Sequence, residues 1–232
     1  MDIKAFNPFQ KKPKIVIFDL CGTLMNSKKV DHDAINYTLA LYHKDPWIIT
    51  RQKKDKLKSM KENFPNFFGP EAQEAYDTYL HYLLTHIEEI PFFDGAKEFL
   101  QLLKKHGIKT AIITNRDTSF VEDLQNHREF INNIKPLIDT IVTADEAGLS
   151  KPSAKIIDYT FKKLGLPLGL DKKEIVFIGD AFADMKVALD YPAIPILLTL
   201  TTADITEDFL KENGSDIYLA TSHYEIIEAF NQ

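Results

Sequence analysis

From residue 92 onward, short runs of β-branched and apolar residues alternate with amphipathic stretches, the pattern of βα units laid on a parallel sheet. The strand-like runs are Thr110 to Thr114, Thr140 to Val142, Ile175 to Ile178, Ile194 to Leu198 and Ile217 to Leu219. Between them the spacing predicts helices over Gly95 to Lys105, Ser119 to His127, Ser153 to Leu164, Ala183 to Asp190, Asp204 to Glu212 and Tyr224 to Phe230. One further strand, Ile15 to Phe18, comes much earlier and runs into Asp19. About 60 residues, roughly Lys28 to Ile90, separate it from the rest and carry helical periodicity without a strand signal.

Within that insertion Ala72, Ala75, Tyr76, Tyr79, Leu80, Leu83 and Ile87 recur at three- and four-residue spacing and make one broad apolar stripe. Leu57, Met60 and Phe64 mark a second helix, and Ile35, Leu39 and Tyr42 a third, so the piece reads as a small bundle. The segment Asn63 to Pro70, with Pro65, Gly69 and Pro70, is expected to break two of these helices. The predicted class is α/β, a doubly wound parallel sheet core formed by residues 1–27 and 91–232 with a helical cap domain, residues 28–90, inserted after the first strand. Ligands of such sheets bind at the carboxyl ends of the strands, near the switch in strand order.

Composition narrows the function classes. The chain has 232 residues, 34 acidic against 28 basic side chains and a net charge of -6. Only Arg51, Arg116 and Arg128 are arginines, so the guanidinium forks suited to phosphate backbones are scarce and nucleic acid is not an expected partner. A lone cysteine, Cys21, forms no intrachain disulfide, and Met1 to Lys14 carries no apolar targeting run, so a reduced, cytoplasmic setting is expected. No apolar stretch approaches the roughly 20 residues of a membrane span, and no membrane association is expected.

Four strand ends carry residues suited to phosphoryl chemistry: Asp19 after the first, Thr114 and Asn115 after the second, Lys151 beyond the third, and Asp180 with Asp184 after the fourth. A carboxylate attacks a phosphate bearing about two negative charges only if a cation and a metal ion offset the repulsion. Asp19 is the expected nucleophile, Lys151 the neutralising cation and Asp180 a ligand of Mg²⁺, which favours oxygen donors. The Thr114 hydroxyl and backbone N–H groups around Leu20, Cys21 and Asn115 are candidates for the remaining phosphoryl oxygens. The sequence holds neither a Walker loop nor GxGxxG.

The run Ile15-Val-Ile-Phe-Asp19-Leu-Cys-Gly-Thr23-Leu24, followed by Ala111-Ile-Ile-Thr114-Asn115, Ser150-Lys151-Pro152 and Val176-Phe-Ile-Gly-Asp180-Ala-Phe-Ala-Asp184, resembles the four ordered motifs of the haloacid dehalogenase-like hydrolase superfamily. The resemblance implies a Rossmann-like core, an aspartyl-phosphate intermediate on Asp19, and Mg²⁺ held by Asp19, the Cys21 carbonyl and Asp180. It also implies that Asp184 supports the metal site or orients the lysine, and that the cap selects a small phosphorylated substrate.

The sequence departs from that pattern at Cys21, where most phosphatases of the superfamily carry the aspartate that protonates the leaving group and then activates water. Such help is worth about 10² to 10⁴ in rate. A thiol, mostly protonated at neutral pH, can donate a proton but poorly replaces a carboxylate as base. Three readings follow: a hydrolase of a small phosphorylated metabolite, slow to release phosphate from Asp19; a catalytically silent relative that binds phosphate or a protein partner; and a phosphonoacetaldehyde hydrolase-like or dehalogenase-like enzyme. For the last, Lys53 stands near a Schiff-base position in a segment loosely similar to the former family's cap loop, although Lys54, Lys58 and Lys61 fall on one helical face and read as a solvated surface. Arg116 either reaches an anionic group of the substrate or pairs at the surface with Asp117 or another acid. The seven histidines lack metal-ligand spacing and are expected at the surface or partly buried in the cap.

Overall fold

The computed structural model describes residues 7–45, 55, 58–200, 207–213 and 216–232. Six strands, β1 (Ile15–Phe18), β2 (Lys109–Thr114), β3 (Thr140–Thr143), β4 (Ile175–Gly179), β5 (Ile194–Leu198) and β6 (Tyr218–Ala220), form one sheet in the order β3-β2-β1-β4-β5-β6. Every pairing is parallel. β1 lies in step with Lys109 to Ile112 on one side and Ile175 to Ile178 on the other. A central parallel strand is covered on both faces, which is why all four of its residues are apolar and none touches solvent. Val16 and Phe18 point into one hydrophobic cluster with Ile112, Val176 and Ile178, while Ile15 and Ile17 point into the opposite one with Ala111, Ile113 and Phe177. This is the two-residue alternation of a strand.

Among the described residues of the insertion lie α1 (Lys28–Leu41), α2 (Met60–Phe68) and α3 (Ala72–Thr85). Aromatic rings join them, Phe64 stacking on Phe68 at 5.0 Å and meeting Tyr76 edge-on at 5.1 Å. The chain leaves the core and returns to it side by side: the Asn26 N–H donates to the Pro91 carbonyl at 2.8 Å, and the Phe93 N–H to the Leu24 carbonyl at 2.9 Å. The core helices are α4 (Ala96–Lys105), α5 (Thr118–Asp123), α6 (Ala144–Ala147), α7 (Lys155–Leu164), α8 (Phe182–Asp190), α9 (Glu207–Asn213) and α10 (His223–Phe230). No helix among the described residues is long and apolar enough to cross a membrane.

Several boundaries differ from expectation. The break over Asn63 to Pro70 is confined to its end, because α2 continues through Asn63 and Pro65 to Phe68. Pro65 lies in the second turn, where its missing N–H removes only one helical bond. Ser59 caps the helix reciprocally with Glu62. The helix expected to reach His127 ends at Asp123 and continues as a tighter turn over Leu124–Asn126. A wide turn at Phe130–Ile134 and a tight one at Lys135–Leu137 follow, neither foreseen. His127 and His223 are buried in the core, contrary to the expected placement of the histidines. His127 accepts the Phe130 N–H on Nδ1 and donates from Nε2 to the Ile90 carbonyl, so its ring fastens a core turn to the end of the insertion.

Candidate active site

Strand order reverses between β1 and β4, and that is where Asp19 and Asp180 emerge side by side. Lys151, in the loop before α7, reaches them from the β3 side: its ammonium donates to Asp19 Oδ1 and, at 2.7 Å, to Asp184 Oδ1. All three side chains are buried. Asp184 uses its other oxygen to accept the Ala181 N–H at 3.0 Å, which closes the first turn of α8 and fixes the carboxylate facing the lysine. The Asn115 side chain pairs with the Lys151 backbone, accepting its N–H at 2.8 Å and donating to its carbonyl at 3.0 Å. Asn115 thus ties the β2 loop to the lysine. The Thr114 hydroxyl accepts the Arg116 N–H at 3.1 Å, leaving its own hydrogen to donate.

Two glycines make the close approach possible. A Cβ on Gly22 would lie 2.2 Å from an Asp180 carboxylate oxygen, and one on Gly179 would lie 2.4 Å from the Asp184 Cβ. Gly22 also has φ +93°, a conformation that L side chains rarely adopt. Its N–H donates to the Met25 carbonyl at 2.7 Å, closing the tight turn after β1. Thr23, fully buried, donates from its hydroxyl to Asp180 Oδ1 at 3.3 Å.

The charge balance of this cluster is uneven. Asp19, Asp180 and Asp184 each bring a carboxylate oxygen to within 4.8 Å of the others, against one ammonium. Burial, partly offset by Lys151, pushes the Asp19 carboxyl up to about 6, and burial together with Asp19 and Asp184 holds Asp180 well above the usual carboxylate range. Lys151 is drawn upward despite its burial, because Asp184 and Asp19 flank it. Three crowded carboxylates, with Asp19 and Asp180 pushed toward the protonated form, make a donor set short of positive charge. Hard oxygen donors of this kind suit Mg²⁺, so the residues present fit the ion that the motifs imply.

Cys21 faces the insertion. Its sulfur accepts the Arg116 Nε–H at 3.3 Å, and burial pushes its thiol up, against the pull of Arg116. The rest of the guanidinium is turned to the cap: Nη1 donates to the Tyr79 hydroxyl at 2.7 Å, and Nη2 donates to both oxygens of Asp31 at 2.5 Å. The Tyr79 hydroxyl donates in turn to Asp31 at 2.6 Å. Arg116 therefore pairs with a mostly buried carboxylate of α1 and not with Asp117. Asp117 instead accepts from Lys61 and from the Tyr76 hydroxyl, each at 3.1 Å. Lys58 meets Asp55 at 3.7 Å, while Lys53 and Lys54 lie outside the described residues.

Asp19, Cys21, Thr114, Asn115, Lys151, Asp180 and Asp184 thus surround one place, with Leu20 in the turn between them. Thr23, Asp31 and Tyr79 had not been singled out. Thr23 stood inside the first motif, where its hydroxyl was a usable signal. Asp31 lies in the first turn of α1, where an acid has an ordinary role at a helix N-terminus, and Tyr79 belongs to the apolar stripe of the insertion.

Comparison with known proteins agrees with this geometry. Over 179 residues the chain is 26% identical to a pyrophosphatase, PpaX, of Bacillus cereus (strain AH820), spanning 75% of this chain and 77% of that protein. It is 24% identical over 188 residues to a phosphoglycolate phosphatase of Pseudomonas syringae pv. tomato, spanning 77% of this chain and 66% of the relative. The crystal structure of CbbY from Rhodobacter sphaeroides in complex with phosphate superposes with a TM-score of 0.75 at 18% identity, over 95% of this chain and all of that one. The model of the haloacid dehalogenase-like hydrolases matches residues 16–191, and the chain belongs to that family.

Proposed function

We propose that this hydrolase is a phosphatase of small phosphorylated metabolites, working through an aspartyl-phosphate on Asp19, in the reducing setting of the cytoplasm. The observation that carries the reading is the buried contact of the Lys151 ammonium with both Asp19 and Asp184, at the strand ends that also hold Asp180. Relatives named for pyrophosphate and phosphoglycolate support the substrate class.

In this mechanism an oxygen of Asp19 attacks phosphorus, the bond to the leaving oxygen breaks, and water later attacks the same phosphorus to free the carboxylate. Asp19, Asp180 and the Cys21 carbonyl, backed by Asp184, would hold Mg²⁺, which when bound offsets the charge of the phosphoryl oxygens. Lys151 supplies the positive charge that does not dissociate. The Thr114 hydroxyl and the backbone N–H groups of Leu20, Cys21 and Asn115 bind the remaining oxygens. Cys21 accepts from Arg116 Nε through its sulfur, so its S–H hydrogen points elsewhere and is placed to protonate the leaving group. Burial keeps that thiol protonated, which suits the acid half of the reaction and leaves the water-activating half weak. Phosphate release from Asp19 is then the slow step. Rapid-quench counting of phosphoenzyme tests this. Aspartyl-phosphate accumulating faster than free phosphate appears supports the order of steps; no phosphoenzyme with any phosphomonoester, in the presence of Mg²⁺, refutes the reading.

A further inference from the structure

Among the described residues Arg116 is the guanidinium at the edge of the site, and its anion-binding edge is already occupied. A core arginine that follows Thr114 by two residues and touches Cys21 is well placed for a second anionic group on the substrate. The carboxylate found there belongs to the protein: both oxygens of Asp31 sit on Nη2, and the Tyr79 hydroxyl fills the bond from Nη1. The aromatic ring of Phe120 packs against the guanidinium carbon at 5.0 Å. The Asp31 and Arg116 side chains retain only 20% and 14% exposure, so the pair is shielded from water.

The charge of Arg116 is balanced from α1, by Asp31. Asp31 is only twelve positions beyond Asp19, on the helix that leaves the nucleophile turn. We infer that Asp31 is a specificity-determining residue: it masks Arg116 and restricts the site to phosphate esters whose leaving group carries no carboxylate or second phosphate at that point. The inference rests on the proposed phosphatase reading and narrows it. The substrate class becomes phosphomonoesters whose leaving group brings no anion to Arg116, which sets this chain apart from a phosphatase of phosphoglycolate. A substrate anion would have to displace a buried carboxylate held by a guanidinium and a phenol, and its gain on Arg116 would be cancelled by the loss of Asp31 from it.

The test uses two non-hydrolysable probes, phosphonoacetate and ethylphosphonate, which differ in the carboxylate, titrated calorimetrically in the presence of Mg²⁺. The wild-type protein is expected to bind ethylphosphonate at least as tightly as phosphonoacetate. In Asp31→Asn the ratio of the two dissociation constants is expected to shift toward phosphonoacetate by about ten-fold or more, the size of a charge-assisted pair. Adding Arg116→Gln to Asp31→Asn should remove that gain. Tyr79→Phe, which loosens Asp31 without removing it, should shift the ratio the same way by less and covers the case in which Asp31→Asn does not fold. A ratio that stays within about two-fold in both single variants overturns the masking. Failure of the wild-type protein to bind either phosphonate instead overturns the phosphatase reading itself.

Discussion

Gly22 shows how little room the site leaves. Its missing Cβ is the space that the Asp180 carboxylate occupies, and its φ of +93° turns the chain after the nucleophile. Gly22→Ala should displace Asp180 and weaken metal activation, raising the Mg²⁺ concentration needed for half-maximal turnover by about ten-fold or more, as expected when a ligand is misplaced. Unchanged metal dependence would show that Asp180 does not hold the ion. At position 21 the expected effect is a gain. Cys21→Asp restores a base near the acyl-phosphate and should raise the rate of phosphate release by about 10² or more. Stopped-flow detection of free phosphate measures it, and no change would mean that another step limits turnover. His223 bears on stability: it is fully buried, and burial, only partly offset by the Asp94 backbone, lowers its pKa to about 4. A folded-state pKa below the ordinary value means that the unfolded chain takes up the proton first. The contribution is present above about pH 6.5 and is lost as the pH falls toward 4, amounting to about 3 kcal/mol. Urea unfolding of His223→Gln should lose less stability over that window than the wild type; parallel curves would show that His223 does not carry the effect.

Among the elements, the central strands were the most legible. Parallel strands covered on both faces must be continuous apolar runs, and β1, β4 and β5 are such runs with nothing else to be. The turns over Phe130 to Leu137 were not legible, because Phe130 and Ile134 are buried at the i, i+4 spacing of an ordinary helix, which does not announce a wide turn. Asn63 misled the reading differently. A residue type that usually signals a loop sits inside α2 and uses its amide as scaffolding: it accepts the Asp55 N–H at 2.6 Å and donates to the carbonyls of Asp55, Lys58 and Ser59. Asn63→Ala should remove these bonds from largely half-buried backbone groups and cost about 1–3 kcal/mol, read from the urea midpoint. A loss below about 0.5 kcal/mol would mean that α2 is anchored by its aromatic packing alone.

For the molecule as a whole, the catalytic side of the site could be assembled on paper, because strand ends in a parallel sheet converge by topology. The cap side could not. Asp31 and Arg116 are 85 residues apart, and their pairing depends on how α1 settles against the β2 loop. No periodicity encodes that contact. Two consecutive residues of the loop, Arg116 and Asp117, grip the insertion with opposite charges, the first through Asp31 and Tyr79, the second through Lys61 and Tyr76. The turn after Asp19 and the inserted helices therefore meet at one loop, which in the proposed reading would couple the phosphoryl site to the helices beside it. The central claim is that Asp19 attacks phosphorus with Lys151 and Mg²⁺ beside it. Steady-state hydrolysis of p-nitrophenyl phosphate by the wild type and Asp19→Asn, with Mg²⁺ and with chelator, tests it most directly. The account predicts Mg²⁺-dependent release of phosphate that falls by at least about 10³ in the variant; equal rates in the two proteins, or turnover indifferent to the chelator, would contradict it.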